Sequence, residues 1–195
     1  PQVDALGNVW LGTYGTRKFY YADGHTGQIL KTVDVSSVNH TSYGALMDAQ
    51  GILWSSGHDK NHVLRLNPSD DSFSVVPLGH FVYGIGLDRD NHLFASGWTD
   101  AKLSRINVLT GQKEWTRNGF DQARGVTVTD EGDVWVANSS LNTVTRWSND
   151  GMVKATISAG PQPVGVAVDA GGEGWVRDLG DEYLRRINPA SDSID

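Results

Sequence analysis

The sequence predicts an all-β chain, a β-propeller of about five four-stranded blades, and three observations carry that prediction. Large aromatic residues recur: Trp10, Trp54, Phe94, Trp135 and Trp175 follow one another at intervals of 44, 40, 41 and 40 residues. Each has the same flanks. Three positions upstream stand Gly7, Gly51, Asn91, Gly132 and Gly172, and eleven positions downstream stand Tyr21, Arg65, Arg105, Arg146 and Arg186. No segment sustains a 3.6-residue apolar period, so helices should be few. Self-similarity at about 40 residues is the mark of a propeller rather than of a single sandwich.

Each element follows from its residues. "YGALMD", "YGIGLD", "RGVTVT" and "VGVAVD" form an inner strand A, opened by Gly44, Gly84, Gly125 and Gly165. An Asp or Thr and then a Gly or Asn follow, as a hairpin turn needs a residue tolerant of positive φ. Strand B carries the aromatic: "NVWLG", "ILWSS", "HLFAS", "DVWVA", "EGWVR". Strand C ends in the arginine register, in "HVLRLN", "KLSRIN", "TVTRWS" and "YLRRIN", and turns such as "NPSDDS" lead to an outer strand D. Four antiparallel strands in such a length make one blade. The repeats fall at approximately 1–42, 43–82, 83–123, 124–163 and 164–195, forming one propeller domain or a fragment of a larger one.

The repeat also sorts the aromatics. One large ring per blade fills the wedge between neighbouring sheets, and its burial is worth ~2–3 kcal/mol. All five register aromatics are therefore expected to be mostly buried. Trp147 stands where Leu66, Ile106 and Ile187 stand, so it too is structural, and Trp115 falls on a strand D. Only Trp98, in a loop, has no structural counterpart. Asp4, Asp48, Asp88 and Asp169 share a register at the end of strand A, with Thr129 the exception. A repeated Arg beside a repeated Asp is expected to brace the blades.

Composition bounds the partners. The 195 residues can bury a sizeable core, and 20% charged residues fit a globular chain. A net charge of −7 argues against nucleic acid and anionic membranes, whose phosphates it repels. No apolar run reaches the ~20 residues of a membrane span. Without cysteine there are no disulfides and no thiolate metal sites. With no initiator methionine and no signal peptide, the chain is expected to be a mature or excised piece.

Ligands of propellers meet the channel mouth, which the D–A and B–C loops line. Four residues before each strand-A glycine stand His40, His80, Asp121 and Pro161, and immediately before it stand Tyr43, Tyr83, Arg124 and Val164. The B–C loops add His58, Asp59 and Trp98. Arg177, where other blades have Gly12, Ser56, Ser96 and Ala137, either marks a less ordered blade or points into the channel. In the same repeat Gly174 stands where others have Val9, Leu53, Leu93 and Val134. A polar, aromatic rim of this kind suits a small polar ligand, a glycan or a protein partner. "HDKNH" at 58–62 is no metal motif, because His at i and i+4 converge on a helix and this is a loop. There is no nucleophile elbow, phosphate loop or EF-hand signature.

"GVTVTDEGDVWVANSSLNTVTRW" and "GVAVDAGGEGWVRDLGDEYLRRINP" resemble NHL-type propeller repeats, in style those of streptogramin (virginiamycin B) lyase-like proteins and similar bacterial surface propellers. The resemblance implies the fold. Lyases of that type use a His general base and a Mg2+ held by glutamates near the channel mouth. Here Glu114, Glu131, Glu173 and Glu182 lie in turns or on outer strands, and "WSSG", "FASG" and "WVAN" replace the family's strand-B ending. No catalytic residue carries over.

The expected function is a non-catalytic ligand- or protein-binding or scaffold propeller of an extracellular or periplasmic protein, with no cofactor required. The alternative is a lyase or hydrolase at the channel mouth, dependent on Mg2+ or another divalent ion and built around His40, His80 and Asp121. Closure is expected to be incomplete. No spare strand precedes the first blade to finish the fifth, so apolar blade faces beside Trp10 and Trp175 should await further blades from the same or another chain.

Overall fold

The computed structural model describes residues 1–194 and contains five four-stranded antiparallel sheets, each built from strands consecutive in sequence. The first holds β1 (Gln2–Val3), β2 (Val9–Thr13), β3 (Lys18–Ala22) and β4 (Ile29–Asp34). The second holds β5 (Gly44–Met47), β6 (Leu53–Ser56), β7 (His62–Leu66) and β8 (Phe73–Pro77). The third holds β9 (Val82–Leu87), β10 (His92–Gly97), β11 (Lys102–Asn107) and β12 (Gln112–Asn118). The fourth holds β13 (Ala123–Val128), β14 (Val134–Asn138), β15 (Thr143–Trp147) and β16 (Val153–Ser158). The fifth holds β17 (Pro163–Val168), β18 (Gly174–Asp178), β19 (Leu184–Asn188) and β20 (Ser193–Ile194). Helical structure among the described residues is confined to two short 3-10 turns, Ser36–Val38 and Ser139–Leu141. The chain is all-β, a five-blade propeller arrangement.

The repeat grammar becomes geometry at each turn. Gly7, Gly51, Asn91, Gly132 and Gly172 all take positive φ, between 68° and 88°, as the A–B turn requires. The Asp before each turn closes it: Asp48 Oδ1 accepts from the backbone N–H of Gln50 and Ile52, both at 3.0 Å, and Asp4, Asp88 and Asp169 do the same in their blades. Thr129 supplies its hydroxyl to the N–H of Asp133 instead. The second carboxylate oxygen then takes a side-chain donor. Trp54 and Trp175 give their indole N–H to Asp48 and Asp169 at 2.7 and 2.9 Å, and the Tyr21 hydroxyl gives to Asp4 at 2.6 Å.

Two of the repeat arginines, Arg105 and Arg146, brace blades, but with partners other than these aspartates. Each register residue lies directly across the B–C pair from its aromatic: Trp10 faces Tyr21, Trp54 Arg65, Phe94 Arg105, Trp135 Arg146 and Trp175 Arg186. From there Arg105 reaches the next blade's outer turn, donating to Asn149 Oδ1 at 2.6 Å, and Arg146 pairs with Asp192 at 2.9 Å. The aspartates are engaged by their own turns, and Asp88 also by Asn149 at 2.8 Å, while Arg105 and Arg146 reach the neighbouring sheet.

Four buried apolar clusters join the blades in succession. Trp10 and Phe19 meet Leu53 and Leu66; Trp54 and Val63 meet Leu93 and Ile106; Phe94 and Leu103 meet Val134 and Trp147; Trp135 and Val144 meet Val176 and Ile187. Among the described residues no such cluster joins the fifth sheet to the first. Four register aromatics are accordingly buried. Trp175 is not: it is half-buried, because no further sheet covers it. Leu11 on the first sheet is 39% exposed and Leu184 on the fifth 61%. Both ends of the arc thus present apolar side chains.

Candidate functional site

The inner strands β5, β9, β13 and β17 line an open cavity of about 260 Å³ along the axis, floored by Gly44, Gly84, Gly125 and Gly165. Glycine is required where blades approach closely. A Cβ on Gly84 would lie 2.1 Å from the carbonyl oxygen of Arg124 in the next blade. That carbonyl accepts from Ser96 Oγ at 2.6 Å, and Ser96 in turn accepts from the N–H of Gly84. The start of β13 is therefore pinned to the third blade, and with it the side chain of Arg124.

At one end of this cavity four rings from two B–C loops and two inner strands converge. Tyr43 and Tyr83 immediately precede the strand-A glycines of the second and third blades. His58 and Trp98 each stand four residues after their blade's aromatic, so the repeat delivers them to equivalent places. The hydroxyl of Tyr43 donates to that of Tyr83 at 2.8 Å, and their ring centres are 5.0 Å apart. His58 lies 5.1 Å from Tyr43, 5.4 Å from Tyr83 and 5.9 Å from Trp98. Trp98 stacks on Tyr83 at 5.1 Å. The guanidinium of Arg124 completes the group, 4.2 Å from the ring centre of Trp98 and 5.7 Å from that of Tyr83. Such contacts favour a cation on an aromatic face by ~0.5–2 kcal/mol. Burial pushes the Tyr83 phenol up to about 12, and its hydrogen bond with Tyr43 adds to the shift. Tyr83 is thus neutral across the physiological range. Tyr43 is the open member, 51% exposed.

Of the sequence-derived candidates, Tyr43, His58, Tyr83, Trp98 and Arg124 come together here, and the others do not. His40 and His80 are buried inside the sheets rather than set on the rim. His40 Nε2 meets Ser55 Oγ at 3.0 Å and its Nδ1 meets His62 at 3.2 Å; His80 Nε2 meets Ser104 Oγ at 2.7 Å and its Nδ1 the carbonyl of Phe81 at 3.1 Å. Burial lowers both, His40 to about 3, so both rings are neutral. Their register reflects a His–Ser contact within the blade body, not a mouth. Asp59 is tied to Thr41 and Lys60, and Asp121 to Gln122 and Ser140. Arg177 is exposed on β18, in the register through which Ser96 meets the following blade. Ser56 and Ser96 fix the inner strands through Gly44 and Gly84 and so support the candidate site; the sequence signal for them is their shared repeat position two residues after the aromatic.

A divalent ion of the kind the repeat resemblance implies does not fit the described residues. Among them no three His, Cys, Asp or Glu side chains converge as a metal-holding group. Glu114 and Glu173 are engaged by Arg105 and Arg186 at 2.7 and 3.2 Å. On the fifth blade Asp178 is buried, and burial raises its pKa although Arg185 opposes the shift; Arg185 also bonds Asp181 at 2.5 Å.

No family model and no curated protein matches the sequence. Solved structures do match. Virginiamycin B lyase from Staphylococcus aureus superposes with a TM-score of 0.84 at 18% identity, over 99% of this chain and 67% of that one. A catalytically inactive variant of the same lyase with quinupristin gives 0.85 at 19% identity, again over 99% and 67%. A protein of unknown function from Bacteroides caccae gives 0.71 at 14% identity, over 96% and 70%. This chain therefore spans about two thirds of the length of the lyases. At these identities the likeness is one of fold: the chain is a propeller of the virginiamycin B lyase-like fold.

Proposed function

We infer that this chain is a ligand-binding propeller that takes a small ring-bearing ligand on the aromatic rim at its channel mouth, as a module of an extracytoplasmic protein. One observation supports the reading: Tyr43, His58, Tyr83 and Trp98 form a continuous set of ring contacts beside an open axial cavity. Most surface loops of a β-protein scatter such residues, and a repeat that gathers them spends ring surface on a ligand rather than on the core. The extracytoplasmic setting is supported by the repeat style alone and is tested by fractionating cells that express the full-length protein.

A second reading is a lyase acting at the same mouth, favoured by the fold of the solved lyases. The two separate in one experiment. A panel of glycans, peptides and metals is screened by thermal shift, and each stabilising compound is then followed by calorimetry and mass spectrometry. Binding with no chemical change, lost in Tyr43→Ala and Trp98→Ala, supports the binding reading. A defined product would sink it in favour of the lyase.

A further inference from the structure

We propose that the ligand of the rim is an acidic sugar, its carboxylate held by Arg124 and its ring carried past Tyr83 onto Tyr43. The proposal rests on the binding reading of the rim and adds the charge and class of the ligand. It starts from a mismatch. The chain carries a net charge of −7, yet the charged side chain that packs on the aromatic cluster is a cation, Arg124. The carboxylates of the surrounding loops are hydrogen-bonded within and between those loops. Asp59 Oδ1 accepts from Thr41 Oγ1 at 2.5 Å while its Oδ2 pairs with Lys60 at 3.0 Å. Asp100 Oδ2 accepts from the N–H of Phe81 at 2.7 Å, and Asp121 accepts from the N–H of Gln122 at 2.9 Å and from Ser140. The nearby Lys102 gives its ammonium to Asn118.

Arg124 has no such outlet. Among the described residues no carboxylate lies within ion-pairing distance of it, and its buried Nε has no hydrogen-bond partner. The guanidinium carbon instead stands 4.2 Å from the ring centre of Trp98, and the residue's backbone carbonyl is held by Ser96. A half-buried guanidinium held at an aromatic face with its outer nitrogens unpaired suits a planar, bidentate acceptor, which describes a carboxylate better than a hydroxyl. Tyr83 borders both partners, 5.7 Å from the guanidinium and 5.0 Å from the exposed ring of Tyr43. The carboxylate of the ligand therefore sits within one or two sugar units of an open aromatic face. Aromatic faces hold the apolar side of a pyranose, while the phenols and His58 meet its hydroxyls. An aliphatic acid would leave that face unused, and a neutral sugar would leave the guanidinium unpaired.

The test compares the galacturonic acid disaccharide with its methyl ester, which keeps the ring and removes the charge. Calorimetry at low ionic strength is expected to show the acid binding at least roughly tenfold tighter than the ester, the difference a charge-assisted pair makes in a partly desolvated site. Arg124→Gln is expected to bring the acid down to the ester's affinity and leave the ester unchanged. Tyr43→Ala is expected to weaken both, with unfolding midpoints of both variants held to confirm the fold. Equal binding of acid and ester, both lost in Tyr43→Ala, overturns the acidic sugar and leaves the binding rim standing. Acid-selective binding that survives Arg124→Gln overturns the role of Arg124. If neither disaccharide binds, the acidic sugar is wrong, and the rim itself is judged by the ligand panel and Trp98→Ala.

Discussion

The indole of Trp135 rests on Gly174: a Cβ at position 174 would stand 3.1 Å from Cζ3 of that ring, tighter than ordinary contact. Glycine there looks anomalous in a strand interior, since the same repeat position holds Leu53, Leu93 and Val134, all fully buried. It is explained by its neighbour. The fourth blade's large ring uses the space that a side chain of the fifth would fill. Gly174→Val should therefore destabilise by ~1–3 kcal/mol through overpacking, in spite of valine's better strand propensity. Urea unfolding of Gly174→Val, alone and with Trp135→Phe, checks this: the smaller ring should recover part of the loss.

The same contact separates two tryptophans of one register. Trp135 is sealed between the fourth and fifth sheets, whereas Trp175 has one face open. Trp135→Ala should cost ~3–5 kcal/mol by cavity formation, and Trp175→Ala less than half as much. Equal losses in denaturant unfolding would contradict this placement of the blades.

Most of this architecture was readable in the residues. The intervals between aromatics gave the number of sheets, the turn glycines gave the positive φ, and the spacing of eleven became direct cross-strand pairing of Trp54 with Arg65 and its equivalents. The candidate site was legible in part. Positions immediately before the strand-A glycines and four after each aromatic reach the mouth, so Tyr43, Tyr83, His58, Trp98 and Arg124 could be named. The four-before-glycine register misled for a physical reason. A residue there turns into the blade that follows it, where Ser55 and Ser104 offer partners for His40 and His80. Nor could a repeat alignment assign the partner of an arginine across a sheet gap, because Asn149 and Asp192 lie in turns of variable sequence.

The two buried histidines set an acid limit. Burial, with His62 and Lys60 nearby, lowers His40 to about 3, against ~6.5 in an unfolded chain. His80 is lowered by burial too. Between those values the unfolded state binds the proton and the folded state does not, so stability is complete above pH ~6.5 and falls as the pH drops toward 3. For His40 the loss by pH 4 is about 3 kcal/mol, at ~1.4 kcal/mol per unit. The lowered aspartates Asp4, Asp88 and Asp169 add their loss only below the ordinary carboxylate range, at more acid pH. Unfolding free energies measured from pH 7 to pH 4 should decline, and His40→Gln should flatten the slope. A flat wild-type profile over that window would place His40 in water.

Val144 and Leu184 occupy the same place in their blades, nine residues after Trp135 and Trp175, yet Val144 is 0% exposed and Leu184 61%. The difference is a covering sheet. On the first blade the faces of Leu11 and Val9 are likewise less covered than those of Val136 and Val134, their counterparts in the fourth. Apolar blade faces of this kind are complementary to one another by construction, since each inner pair of blades already joins one such face to the other. This chain by itself should therefore associate through its end faces, head to tail, as concentration rises. Light scattering should show the mean mass growing with concentration, and Leu11→Ser with Leu184→Ser should hold the chain monomeric. Because both positions are exposed, the double variant should keep the wild-type unfolding midpoint within ~1 kcal/mol of stability. A wild-type chain that stays monomeric at all concentrations, with Leu184 protected from surface labelling as a Cys variant, would mean that the first and fifth sheets close on each other.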